Sequence, residues 1–139
     1  VTYWEQAKAR LLGVDPAVIE RYNVVSGPVA AQMARGARAA SGSDLAVAVT
    51  GLAGPGGGDA VRPVGTVYIA GAAGTSVFVE KFHYVRPDRE NTRARAAHAA
   101  LELALRLAQG KAPAGCYRID AAACSDPAAL AALDGALIL

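Results

Sequence analysis

Val49-Thr50-Gly51-Leu52-Ala53-Gly54-Pro55-Gly56-Gly57-Gly58 (VTGLAGPGGG) separates two apolar runs, Leu45–Val49 (LAVAV) and Val64–Ala72 (VGTVYIAGA). A plain hairpin needs only a two-residue turn. Five glycines and a proline are either slack or a device that lets backbone N–H groups approach a ligand. The stretch lacks the Gly-Lys-Ser/Thr that ends a Walker A loop. A strand pattern follows it, not the helix a dinucleotide fingerprint requires. What remains is strand, Thr50, glycine-rich turn, strand. Thr50 stands at a strand exit, where α/β proteins often place functional groups. Its hydroxyl can hold a phosphate or a carbonyl, and the N–H groups of Gly51 and Gly54 can form an anion nest. On composition alone a flexible surface loop competes with that reading.

The elements on either side follow from local signals. Trp4–Leu12 reads as a short helix stopped by Gly13, and Asp15-Pro16 opens a second through Arg21 or Tyr22. Ser26 caps a third helix, with Val29, Met33 and Ala37 on one face, ending near Ser41-Gly42. Val64–Ala72 and Ser76–Tyr84 form an antiparallel hairpin turned at Ala73-Gly74, and Gly65 and Gly71 mark close backbone approach. Asp88 caps a long helix, Arg89–Gln109, ended by Gly110. Ala97, Leu101, Leu105 and Ala108 lie on one face and Ala96, Ala100, Leu103 and Leu107 on the next, which predicts cover on two sides. Residues 1–110 form the main domain. Residues 111–139 form a tail of different character, with one short helix opened by Ser125-Asp126-Pro127.

Length suits one domain, and 53% hydrophobic content argues against disorder. Aromatics are only 6%, so close helix packing through alanine is expected. A net charge of +2, with arginines not interleaved with aromatics, argues against a nucleic-acid stripe. No apolar run reaches the ~18 residues of a membrane span. Cys116 and Cys124 match no zinc spacing, and His83 and His98 lie far apart, so no metal is expected. Two free thiols fit a reducing, cytoplasmic setting.

Three groups carry possible chemistry. Tyr3, read as a strand end, and Lys8 on the following helix can face one crevice. A lysine kept neutral by burial is a competent base, although most lysines are solvated. Asp88 is sufficiently explained as a cap. Arg89 and Arg93, one turn apart, pair with acids, with a ligand phosphate or with water. His83 and His98 have ordinary structural readings.

Four segments in order resemble one family, the CinA C-terminal domain. They are VTYWEQAKARLLGV, VVSGPVAAQMARGA, VTGLAGPGGGDAVRPVGTVYIA and PDRENTRARAAHAAL, spanning Val1 to Gln109. The resemblance implies a three-layer α/β/α sandwich with a mixed sheet, commonly a homodimer. It also implies hydrolysis of the carboxamide of nicotinamide mononucleotide (NMN), giving nicotinate mononucleotide and ammonia without metal or cofactor. The family's tyrosine falls on Tyr3, its lysine on Lys8 and its loop threonine on Thr50. Gly51, Ala53, Gly54, Pro55 and Gly57 would contact substrate. A lysine can activate a hydroxyl as histidine does in serine hydrolases. The glycine loop then reads as a substrate cradle.

Two departures stand out. The family's serine lies in a TAESCTGG-like segment ahead of the tyrosine, and no such segment occurs here; Ser26, Ser41, Ser43, Ser76 and Ser125 have other contexts. The chain opens on Val1, so an upstream segment carrying that serine is expected. Pro87 stands where the family has glycine. Without the serine, a catalytically silent nucleotide-binding or protein-interaction module is the alternative, and a remnant without independent function a weaker one.

Overall fold

A computed structural model describes residues 1–86, 88–111 and 113–138. Pro87 therefore lies outside the described residues. Three helices come first: α1 (Glu5–Leu12), α2 (Pro16–Tyr22) and α3 (Gly27–Ser41). The Asp15 carboxylate accepts from Ala17 N and the Ser26 hydroxyl from Val29 N, as their capping positions require. Gly13 and Gly42 end α1 and α3 in the left-handed conformation that glycine takes without cost. Strands β1 (Leu45–Gly51), β2 (Thr66–Ala73) and β3 (Ser76–His83) follow, then α4 (Arg89–Ala108), capped by Asp88, then β4 (Tyr117–Asp120) and α5 (Pro127–Leu137).

The sheet order is β1-β2-β3-β4. The hairpin is as expected, with Ala73 opposite Ser76. All three pairings are antiparallel, so the mixed sheet expected from the resemblance is not present among the described residues. The three layers are. Side chains alternate across β2: Tyr68, Ala70 and Ala72 pack with α3 and α5, while Val67 and Ile69 pack with α4 residues Ala96, Ala100 and Leu103. Gly71 admits α4 closely, since a Cβ there would stand 2.6 Å from Leu107 Cδ1.

Two expectations need correction. Val1–Tyr3 forms no strand. The α4 face of Ala97, Leu101, Leu105 and Ala108 is exposed, with Leu101 at 70%. The sheet covers only the other face, and alanine on all sides left the choice open in the sequence. The residues after Gly110 add to the same core. Leu130 and Leu133 are buried, and α3's Gln32 donates from Nε2 to Cys124 O at 2.9 Å while accepting from Asp15 N.

Among the described residues β1 is at the edge of the sheet. Leu52 N donates to Thr66 O, so in antiparallel alternation Thr50 and Ala48 bond to β2 while Gly51, Val49 and Val47 direct their backbone groups to the open edge.

Candidate active site

α1 packs on α3 because Gly36 has no side chain: a Cβ there would lie 1.6 Å from Leu12 O. This close approach brings Lys8 inward. Lys8 is 6% exposed, and its Nζ donates to Thr2 O. Burial lowers its pKa from the ordinary lysine value, while Glu5, one turn earlier, works in the opposite direction. The sequence spacing that set Tyr3 and Lys8 at one crevice is met in part. Both line a cleft of about 750 Å³ together with Thr50, Gly51, Glu5, Val24 and Met33. Tyr3 sits at its rim, 77% exposed.

Thr50 belongs to β1 itself, paired with Tyr68, and is 6% exposed. Its hydroxyl donates to Val24 O at 2.9 Å. With that proton committed, Oγ1 offers only lone pairs to an incoming group. It is therefore placed to accept, for example from the N–H of a carboxamide, and not to donate to an oxyanion.

Two glycines of the exposed loop are closely approached. A Cβ on Gly54 would meet Val64 Cγ1 at 2.5 Å, and one on Gly58 would meet Val64 N at 2.6 Å. Gly51 has no room either, with Val67 Cγ2 at 2.8 Å from a built Cβ. Of the loop residues expected to touch substrate, Gly51 lines the Lys8–Thr50 cleft. Ala53 lines a second cleft with Thr92 and Arg93 of α4, which shares Val1, Val49 and Gly51 with the first. Gly54, Pro55 and Gly57 are not among the residues that line the Lys8–Thr50 cleft.

Arg93 lines the second cleft, and the remaining candidates line neither. Asp88 accepts from Asn91 N as a cap, and Arg89, Arg93, His83 and His98 are exposed. Ser26 is fully buried, donating to Asn23 O and accepting from Val29 N, and among the described residues no serine lines the cleft. Cys116 donates its thiol to Glu80; burial and that carboxylate push its pKa up to about 11. The sequence reading passed over Arg62. It is the one cation between β1 and β2, which was the available signal. Its Nε donates to Val25 O at 2.6 Å and its terminal nitrogen to Tyr22 O at 2.5 Å.

A three-layer α/β/α domain with a buried lysine and threonine in one cleft, beside a glycine-rich loop, is the class these observations define. The CinA C-terminal domain model matches residues 1–108, and the chain belongs to that family. It is 50% identical over 105 residues to a CinA-like protein of Chlorobaculum tepidum, covering 73% of this chain and 25% of that one. It is 52% identical over 101 residues to a CinA-like protein of Geotalea daltonii, covering 73% and 24%. The chain thus spans about a quarter of the length of the curated relatives it matches. Among solved structures, the competence/damage inducible protein CihA from Agrobacterium tumefaciens superposes with a TM-score of 0.74 at 41% identity, covering 77% of this chain and 66% of that one. A CinA superfamily protein from Escherichia coli gives 0.72 at 38% identity, covering 77% and 62%. Among the described residues no helix is long and apolar enough to cross a membrane.

Proposed function

We propose that the Lys8–Thr50 cleft is the base-and-acceptor half of a carboxamide hydrolase site, with NMN as substrate. The carrying observation is the burial of Lys8, which favours its neutral form, in the same cleft as a threonine that can only accept. An amide is a poor electrophile, so its hydrolysis needs an activated nucleophile. Neutral Lys8 Nζ takes the proton from an attacking hydroxyl as the C–O bond forms, then returns a proton to nitrogen as the C–N bond breaks and ammonia leaves. Thr50 Oγ1 accepts a carboxamide N–H and fixes the amide plane. Family membership supports this chemistry for the chain, and a homodimer in the cytoplasm is the accompanying expectation. In the family pattern the hydroxyl is a serine's; a water then gives its proton to Lys8 and attacks the resulting ester, and the serine leaves with a proton from Lys8 as nicotinate mononucleotide is released.

A second reading is a domain that binds the nucleotide without turning it over; among the described residues that line the cleft there is no serine. Ammonia release from NMN, measured beside an NMN titration, separates the two. Turnover lost in Lys8→Ala supports the hydrolase. Binding without turnover supports the silent module. Full turnover in Lys8→Ala removes Lys8 from the role of base.

A further inference from the structure

We infer that Arg62 is a positioning residue: it clasps the turn between α2 and α3 and thereby holds the glycine loop beside the Lys8–Thr50 cleft. As a statement about a binding site, the inference rests on the reading of that cleft given above. The loop, residues 52–65, is closed at its base by Leu52 N to Thr66 O and Gly65 N to Leu52 O. Beyond that base, Arg62 makes the only side-chain hydrogen bonds from the loop to another element among the described residues. Its guanidinium spans two carbonyls, Val25 O and Tyr22 O. The carbonyl of Val24, between them, accepts from Thr50. The turn is thus a common reference for the loop and for the threonine of the cleft.

Both partners of the clasp are shaped for it. Asp59 Oδ1 accepts from Val61 N and Arg62 N, and Asp59 N donates to Arg62 O, so the chain folds back and presents the guanidinium. On the turn, Asn23 adopts φ 78 and ψ 153, a region that residues other than glycine seldom occupy. Its Oδ1 accepts from Val25 N and its carbonyl from Ser26 Oγ. That bend accompanies the display of the Tyr22, Val24 and Val25 carbonyls to donors from β1 and the loop. Arg62 does not itself line the Lys8–Thr50 cleft. A guanidinium supplies two donors in a fixed fork and an ammonium does not, so lysine can restore only part of the clasp.

The test is amide hydrogen exchange on the wild type, Arg62→Met, Arg62→Lys and Asp59→Ala, with an NMN titration of each. Exchange of loop amides from Ala53 to Val61 is expected to quicken by about tenfold in Arg62→Met, as a charged hydrogen-bonded clasp is lost. Arg62→Lys should fall between, and Asp59→Ala should loosen the same amides with the guanidinium still present. Amides of α3 and α4 should keep their wild-type rates. Where the wild type binds NMN, its dissociation constant should rise in the same order. Wild-type loop exchange in Arg62→Met, an equal rise throughout α3 and α4, or an unchanged NMN constant beside a loosened loop would each overturn the inference. A wild type that does not bind NMN overturns the substrate reading, and the exchange rates still decide the clasp.

Discussion

Gly36→Ala tests how Lys8 is brought into the cleft. Two effects of opposite sign compete. In a helix interior, alanine is favoured over glycine by roughly 0.8–1.0 kcal/mol. Against this, the new Cβ would lie 1.6 Å from Leu12 O and 2.5 Å from Leu12 C. A comfortable C···O contact is about 3.3 Å, so the Leu12 carbonyl must retreat by roughly 1.7 Å. The obstruction is backbone and cannot rotate away. Overpacking of this kind costs about 1–3 kcal/mol, and a backbone clash belongs in the upper part of that range. The expected net effect is a loss of about 1–2 kcal/mol. Leu12 adjoins the α1 cap, where Val14 N donates to Lys8 O, so the displacement also reaches the lysine. Gly135→Ala is the control. It lies in α5 with nothing within 4 Å of a built Cβ, and should gain close to the full helix-propensity difference. Urea denaturation of the two variants beside the wild type gives both signs. Equal stabilisation by both substitutions would refute the close α1–α3 contact and with it the account of Lys8 burial.

Three further outcomes follow from the packing and the titrating groups. Leu133→Ala, at a fully buried position of α5, should cost about 2–5 kcal/mol in equilibrium unfolding; a loss under 0.5 kcal/mol would detach α5 from the core. Lys8 has a lowered pKa when folded, so between that value and 10.5 the unfolded chain binds more protons and stability rises with pH. The stability difference between wild type and Lys8→Met should therefore shift in favour of the wild type from pH 7 to pH 10, and a flat difference would contradict a desolvated Lys8. Cys116, with its pKa near 11 against 9.0, should alkylate at pH 8 about 100-fold more slowly than an ordinary thiol, from its thiolate fraction alone. In Glu80→Gln the iodoacetamide rate should rise, and an unchanged rate would remove the carboxylate as a cause.

Much of this architecture is legible in the chain because its signals are local. Asp15-Pro16, Ser26, Asp88 and Asp126-Pro127 each place a side-chain acceptor at a helix start, and each accepts a first-turn N–H. Hairpin pairing of β2 with β3 needs only neighbouring residues. β4 escaped notice for the opposite reason. Its four residues, YRID, bury only Ile119, and its pairing to β3 spans the whole of α4. No periodicity can be read from one inward side chain. The α4 face was likewise undecidable, since alanines and leucines occupy both candidate stripes and only the sheet's position selects one.

The candidate site was proposed by a different route. Nothing in the spacing of Lys8 marks it off from a solvated helix lysine; four ordered segments of family resemblance did that. Its burial depends on Gly36, on another helix, making room for Leu12 O. Arg62 is hidden more deeply, because its partners are main-chain carbonyls of Tyr22 and Val25, and a carbonyl carries no residue-type signal. The glycines of the β1 end and the loop after it illustrate the difference. Gly51, Gly54 and Gly58 answer to close contacts with Val67 or Val64, whereas Gly56 has open space around it. A glycine-rich sequence thus mixes positions where a side chain cannot fit with one where it can. Substitution at Gly56 leaves this packing untouched, so any change in NMN affinity there would report on ligand contact, while the same change at Gly54 or Gly58 would report on the loop's shape.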